Sequence, residues 1–182
     1  MPNYSQQIIS HLPIILEYAQ GIYGQRDVDF HILPITFNSP FPQSGETTCP
    51  QLNQLQIKLT PGCANNFIIG VRLLAHEVIH CLRPAMIGAP HFNTYLEEGM
   101  ATWFADDYIY LLTNHMYHNP QIGNYLTAYD NYTPHHVPLS GAIKTILNGN
   151  NRKICSITAH EIQNITNLIR VGNINQLLAQ FP

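Results

Sequence analysis

The chain has 182 residues, 45% of them apolar and only 10% charged, with 8 Lys and Arg against 11 Asp and Glu. That length suits one sizeable core in a single domain over residues 1–182, and a formal net charge of −3 without any run of basic residues excludes a surface that tracks nucleic acid phosphates. The start, Met1-Pro2-Asn3-Tyr4, lacks the pattern of a secretory leader, and no segment reaches the ~20 apolar residues of a membrane span, so a cytoplasmic protein without membrane contact is expected.

In chain order, Ile8, Ile9, Leu12, Ile15, Leu16 and Ala19 recur at helical spacing within residues 5–20; Pro13 predicts a kink, and Gly21 and Gly24 close the helix. Residues 28–37 are rich in branched and aromatic side chains and predict a strand, which Pro34 pushes toward a sheet edge or a bulge. A loop dense in Pro, Ser, Gly and Thr is expected over residues 38–50. Leu55, Ile57 and Leu59 then alternate with Gln54, Gln56, Lys58 and Thr60, the period of a strand with one buried face.

Pro61 and Gly62 end that strand, Asn65 or Asn66 can cap the following helix, and Pro84 stops it. Val71, Leu74, Ala75, Val78 and Leu82 share its apolar face. At about 100° per residue His76 and His80 fall on roughly the opposite side, with Glu77 beside them. Thr94-x-x-Glu97 has the form of a capping box and predicts a second helix from about Tyr95 to Thr113. The remainder is expected to be mostly helical, with breaks at Asn119-Pro120, at residues 133–138 and at residues 148–151. Cys49, Cys63, Cys81 and Cys155 form no Cys-x-x-Cys pair and read as reduced, mostly buried thiols.

The chemical signal is concentrated in His76-Glu77-Val78-Ile79-His80, followed after 17 residues by Glu98. Two histidines four apart project from one face of a helix. A carboxylate from a second helix can complete three protein ligands around zinc, leaving one position open for water or substrate.

His76-Glu-Val-Ile-His80 together with Tyr95-Leu-Glu-Glu98-Gly-Met-Ala101-Thr-Trp resembles the gluzincins, zinc metallopeptidases whose third ligand is a glutamate on the helix after the motif. The likeness covers roughly residues 52–105. It is closest to the gluzincin aminopeptidases, where the ligand Glu precedes Gly, an apolar residue and Ala, and by size to the minigluzincins. The resemblance implies an α+β, zincin-like fold: a small mixed sheet with an edge strand over the cleft, an active-site helix, a glutamate helix and a helical C-terminal part. Residues 54–60 fall where the rim strand would be.

The same resemblance implies Zn2+ as cofactor, His76, His80 and Glu98 as metal ligands, Glu77 as general base, and a peptide or protein as substrate. Adjacent helical residues point about 100° apart, so only one of Glu97 and Glu98 faces the metal. Glu98 is favoured because Glu97 has a role in the capping box, because Glu98 precedes Gly-x-Ala, and because Ala101 and Ala105 share its face. For the group that stabilises the oxyanion, the resemblance points to a Tyr or His downstream; Tyr125, Tyr129, Tyr132, His135 and His136 are candidates, and His135 or His136 is the choice.

Arg83 and Met86 stand where a metzincin would need Gly and a third His, and His91, His115 and His118 read as residues outside any metal site. Thr102 occupies the position where thermolysin-like gluzincins carry an Asp that orients a ligand, and Asp106 and Asp107 read as a solvated helix face. The competing readings are a zincin-fold interaction protein with weak or no catalysis, and a zinc hydrolase acting on other substrates.

Overall fold

A computed structural model describes residues 2–41, 45–84, 93–116, 123–148 and 153–182; His91, His118, the expected break at Asn119-Pro120 and most of that at 148–151 lie outside them. The described residues are mixed α+β, mostly helical with a small three-stranded sheet. Their buried apolar side chains form a cluster that runs from Ile8 to Leu177. None of the four cysteines is in a disulfide; Cys63 and Cys81 are buried and Cys49 and Cys155 half-buried. No helix among the described residues is long and apolar enough to cross a membrane.

The expected N-terminal helix is two helices, α1 (Ser5–Ser10) and α2 (Leu12–Tyr23), divided at His11. Pro13 lies in the first turn of α2, where a missing N–H costs nothing because that donor has no helical acceptor. Gly24, with φ of 100°, ends α2 in a backbone conformation that side chains disfavour.

The sheet departs most from expectation. Of residues 28–37 only β1 (His31–Ile32) forms a strand, parallel to β3 (Gln54–Lys58), with an isolated bridge from Thr36 to Lys58. Pro34 has no N–H to give, so the ladder is interrupted between the bonds from Leu33 and Thr36 to Leu55 and Ile57. The predicted loop 38–50 contains a strand, β2 (Glu46–Thr48), antiparallel to β3 with Thr47 opposite Ile57. The order β1-β3-β2 puts β3 in the centre. The assignment of residues 54–60 to an edge is therefore corrected, with β1 and β2 as the edge strands: the apolar residues Leu55, Ile57 and Leu59 are fully buried, as a central strand requires. Glu46-Thr47-Thr48 has no apolar alternation to betray it, because all three positions are only half-buried at an edge.

Helix α3 (Phe67–His80) is capped by Asn66, whose side chain accepts from the Ile69 N–H at 3.2 Å. Val71, Leu74, Ala75 and Val78 are fully buried, and so is Leu82 just beyond the helix. Helix α4 (Tyr95–Thr113) has the predicted bounds and packs along α3. Buried Arg72 of α3 reaches Asp106 of α4 at 2.7 Å, and Asp107 accepts from the Tyr18 hydroxyl. Both aspartates thus join helices instead of forming a solvated face.

Helix α5 (Asn124–Tyr132) crosses α4 at Gly99, where a Cβ would lie 2.6 Å from the Ala128 carbonyl oxygen and from the Tyr132 Cβ. Glycine at 99 is thus what lets α5 approach. The expected break at 133–138 shrinks to one 3-10 turn, Thr133–His135, and α6 (His136–Leu147) begins directly after it. Pro138 sits in the first turn of α6, again where its missing N–H is harmless. The short helices α7 (Ala159–Ile165) and α8 (Val171–Leu177) follow. The segment after α8 pairs back on the start of α4, with Tyr95 N–H donating to the Ala179 carbonyl and Phe181 N–H to that of Asn93.

Candidate metal centre

Helices α3 and α4 and strand β2 enclose a cleft of about 540 Å³, and His76, Glu77, His80, Glu97, Glu98 and Tyr125 are among its lining residues. One ligand atom each from His76, His80 and Glu98 lies within 4.8 Å of the others. The His76 Nε2 is 3.3 Å from Glu98 Oε2, and the His80 Nε2 is 3.7 Å from Glu98 Oε1. Ligand atoms about 2.0–2.1 Å from a tetrahedral zinc stand roughly 3.3 Å apart; the His76–Glu98 separation has that value, and the His80–Glu98 separation of 3.7 Å is slightly wider. Glu98 Oε2 is buried and, although His76 Nε2 lies 3.3 Å away, accepts no well-aligned hydrogen bond among the described residues, a place that a cation would fill. The residues present therefore fit zinc.

Charge argues the same way. Glu77, Glu97 and Glu98 are 4%, 7% and 3% exposed, and three buried carboxylates around two imidazoles need positive charge among them. Burial alone would lower the His80 pKa, but Glu98, Glu97 and Glu77 outweigh it and push it up to about 10. Burial alone would raise that of Glu98, yet His80, His76 and the amide of Asn93 hold it at about 2. The group that suits this place is a cation, either a proton on His80 or a metal ion.

Each carboxylate has a distinct partner. Thr94 caps α4 as expected, accepting from the Glu97 N–H at 3.2 Å. The Glu97 side chain, however, is not spent on the cap: its Oε1 lies 3.0 Å from His80 Nδ1. This corrects the capping-box assignment. A carboxylate on Nδ1 holds the imidazole so that Nε2 faces Glu98. Here Thr102 is buried, and its hydroxyl has no partner among the described residues.

Glu98 Oε1 accepts from Asn93 Nδ2. Glu77 Oε2 accepts from the Thr47 hydroxyl at 2.8 Å, and its backbone carbonyl faces the same hydroxyl at 3.3 Å. Gly45 closes over this carboxylate so tightly that a Cβ there would lie 2.8 Å from Glu77 Oε1. Sequence reasoning missed Gly45, Thr47 and Asn93. A glycine shortly before a threonine pair is the only local cue, and it looks like ordinary loop composition.

The downstream candidates separate cleanly. Tyr125 lines the cleft with its ring centroid 6.2 Å from that of His76. Its position follows from Gly99: α5 lies close on α4, and Tyr125 stands about one turn before Ala128. Burial, then Glu98 and Glu77, push the Tyr125 hydroxyl up to about 12, so it is a proton donor at neutral pH. Phe181 packs against it at 5.0 Å. Tyr132 is buried elsewhere, 3.0 Å from the Ser140 hydroxyl, and Tyr129 lies near Asp106 and Thr133.

His135 and His136, chosen from the sequence, do not line the cleft. The His135 Nε2 meets Asn173 at 3.1 Å, and His136 stacks on Trp103 at 4.5 Å while its Nδ1 faces the Thr133 carbonyl at 2.8 Å. Continuing α5 almost directly into α6 carries both rings away from the cleft. Comparisons with known families, with characterised proteins and with solved structures found no match to this chain.

Proposed function

We propose that the chain is a zinc-dependent metallopeptidase of gluzincin type with a zincin-like fold, hydrolysing peptide bonds with Glu77 as general base. The observation that carries this reading is the convergence of His76, His80 and Glu98 in one cleft with Glu77 beside them, none of whose roles competes with another. A zinc ion held by His76, His80 and Glu98 supplies Lewis acidity, lowering the pKa of water and polarising a carbonyl.

The chain's own groups do the rest. Thr47 holds one oxygen of Glu77, which leaves Oε1 on the Gly45 side to take a proton from the attacking water and return it to the leaving amine. Tyr125 replaces His135 and His136 as the proposed donor to the oxyanion, because its hydroxyl stays protonated and its ring lies beside His76. Strand β2 bounds the cleft as its rim, where an extended peptide can lie.

The test is cleavage of a peptide library with and without a chelator, set beside Glu77→Gln. The variant should keep its zinc and lose about 10²–10⁴-fold in turnover. Near-normal turnover with zinc retained refutes the mechanism, and a zinc-loaded protein that cleaves nothing in the library leaves the interaction-protein reading in its place.

A further inference from the structure

Arg83, three residues beyond His80, lines the cleft and is 9% exposed. Its guanidinium carries five N–H donors in a fixed fork. Among the described residues it makes a single hydrogen bond, from Nη2 to the Leu147 carbonyl at 3.3 Å, and its buried Nε has no acceptor. Among them, too, no carboxylate forms an ion pair with it. All 11 Asp and Glu residues lie in the described segments, so no acidic side chain outside them supplies its counter-ion. The three carboxylates that share its cleft are committed elsewhere: Glu77 to Thr47, Glu97 to His80, and Glu98 to Asn93 and the histidines.

A buried guanidinium without a counter-ion is costly, and one bond to a carbonyl at the C-terminal end of α6 occupies one donor of five. A carboxylate is the ligand that answers the remaining geometry, because its two oxygens match the guanidinium fork. We infer that Arg83 is a specificity residue that binds a carboxylate of the substrate, so that the favoured peptides carry a negative charge close to the scissile bond. That carboxylate is either the free C-terminus of the peptide or an Asp or Glu side chain. The inference rests on the peptidase reading for its substrate class, but the cleft's preference for a carboxylate can be measured without turnover.

The experiment is calorimetric titration of the zinc-loaded Glu77→Gln protein with N-acetylated peptides in matched sets: free C-terminal acid against amide, and internal Asp or Glu against Asn or Gln. At least one acid should bind about 10-fold or more tightly than its neutral partner, an increment in keeping with a charge-assisted bidentate pair. The pair that shows the preference names the source of the carboxylate. Adding Arg83→Gln should erase it, while Arg83→Lys, which keeps the charge without the fork, should retain part of it. Equal affinity for acid and neutral peptides overturns the inference. So does a preference that survives Arg83→Gln, which would assign the carboxylate to the metal. Should Arg83→Gln fail to fold, Arg83→Lys decides: an undiminished preference there removes the fork from recognition. Absence of cleavage by the unsubstituted enzyme would sink the peptidase reading and leave these affinities as a separate result.

Discussion

Two regions of this molecule each bring a pair of histidines together, and their surroundings differ completely. His76 and His80, one turn apart on α3, face three buried carboxylates. His135 and His136, adjacent in sequence at the α5–α6 junction, face a side-chain amide, a backbone carbonyl and an indole. Histidine density is the same in both. What separates a site suited to a cation from a pair of packed rings is the convergence of buried negative charge, which a cation would offset.

The largest expected effect breaks the first region outright. Glu98→Ala or His76→Ala should abolish stoichiometric zinc binding by elemental analysis, whereas His135→Ala and His136→Ala should leave zinc content and turnover unchanged. A loss of zinc or activity in the second set would return those histidines to the site. Next in size is Tyr125→Phe, which deletes one hydroxyl from the wall and should lower kcat about 10²–10³-fold with zinc retained, the usual cost of one oxyanion donor. Unchanged kcat would remove Tyr125 from the chemistry.

Glu97→Gln sharpens the comparison by weakening the charge without touching a ligand. Competitive chelator titration should show zinc affinity lower by about 10–100-fold, the usual penalty for losing a carboxylate behind a ligand imidazole.

The smallest effect is one of pH in the zinc-free protein. His80 is raised from 6.5 to about 10, so its contribution to stability is full below 6.5 and fades as pH rises toward 10. Glu98 is lowered from 4.5 to about 2, so its contribution is full above 4.5 and fades as pH falls toward 2. The chelated protein should therefore draw most stability from this pair between pH 4.5 and 6.5, visible in Tm against pH, and that curvature should flatten in Glu98→Gln. A flat difference between the two proteins would mean that the pair is not coupled as described.

Much of the site is legible before folding because it is local. A spacing of four on a helix needs only helical geometry to put His76 and His80 on one face, and Thr94 announces the start of α4 with enough accuracy to place Glu98 in its first turn. The choice of Glu98 over Glu97 follows from their angular separation. One reason behind it is only half right, because Glu97 does not close the cap; it turns to His80. Only the packing of α4 against α3 could reveal that the carboxylate next to Glu98 bonds to His80.

Other parts are illegible for identifiable reasons. β2 is short and half-buried, so no apolar rhythm marks it, and its existence depends on the edge of β3 being there to pair with. The sequence alone favours His136, at an expected break, over Tyr125 as the donor, whereas both lie on helices in the folded chain. Gly99 lets α5 settle close on α4, and Tyr125 of α5 lines the cleft.

The sequence by itself determined the helix that presents His76, Glu77 and His80, the start of the helix that presents Glu98, and the donor types that suit zinc. These depend on interactions within a turn or two of chain. Tertiary structure alone decided that β2 borders the cleft, that Thr47, Asn93 and Glu97 bond to Glu77, Glu98 and His80, that Tyr125 lines the cleft, and that Arg83 stands apart from the carboxylates around it. Those depend on which surfaces meet, and close packing between distant segments is what fixes them.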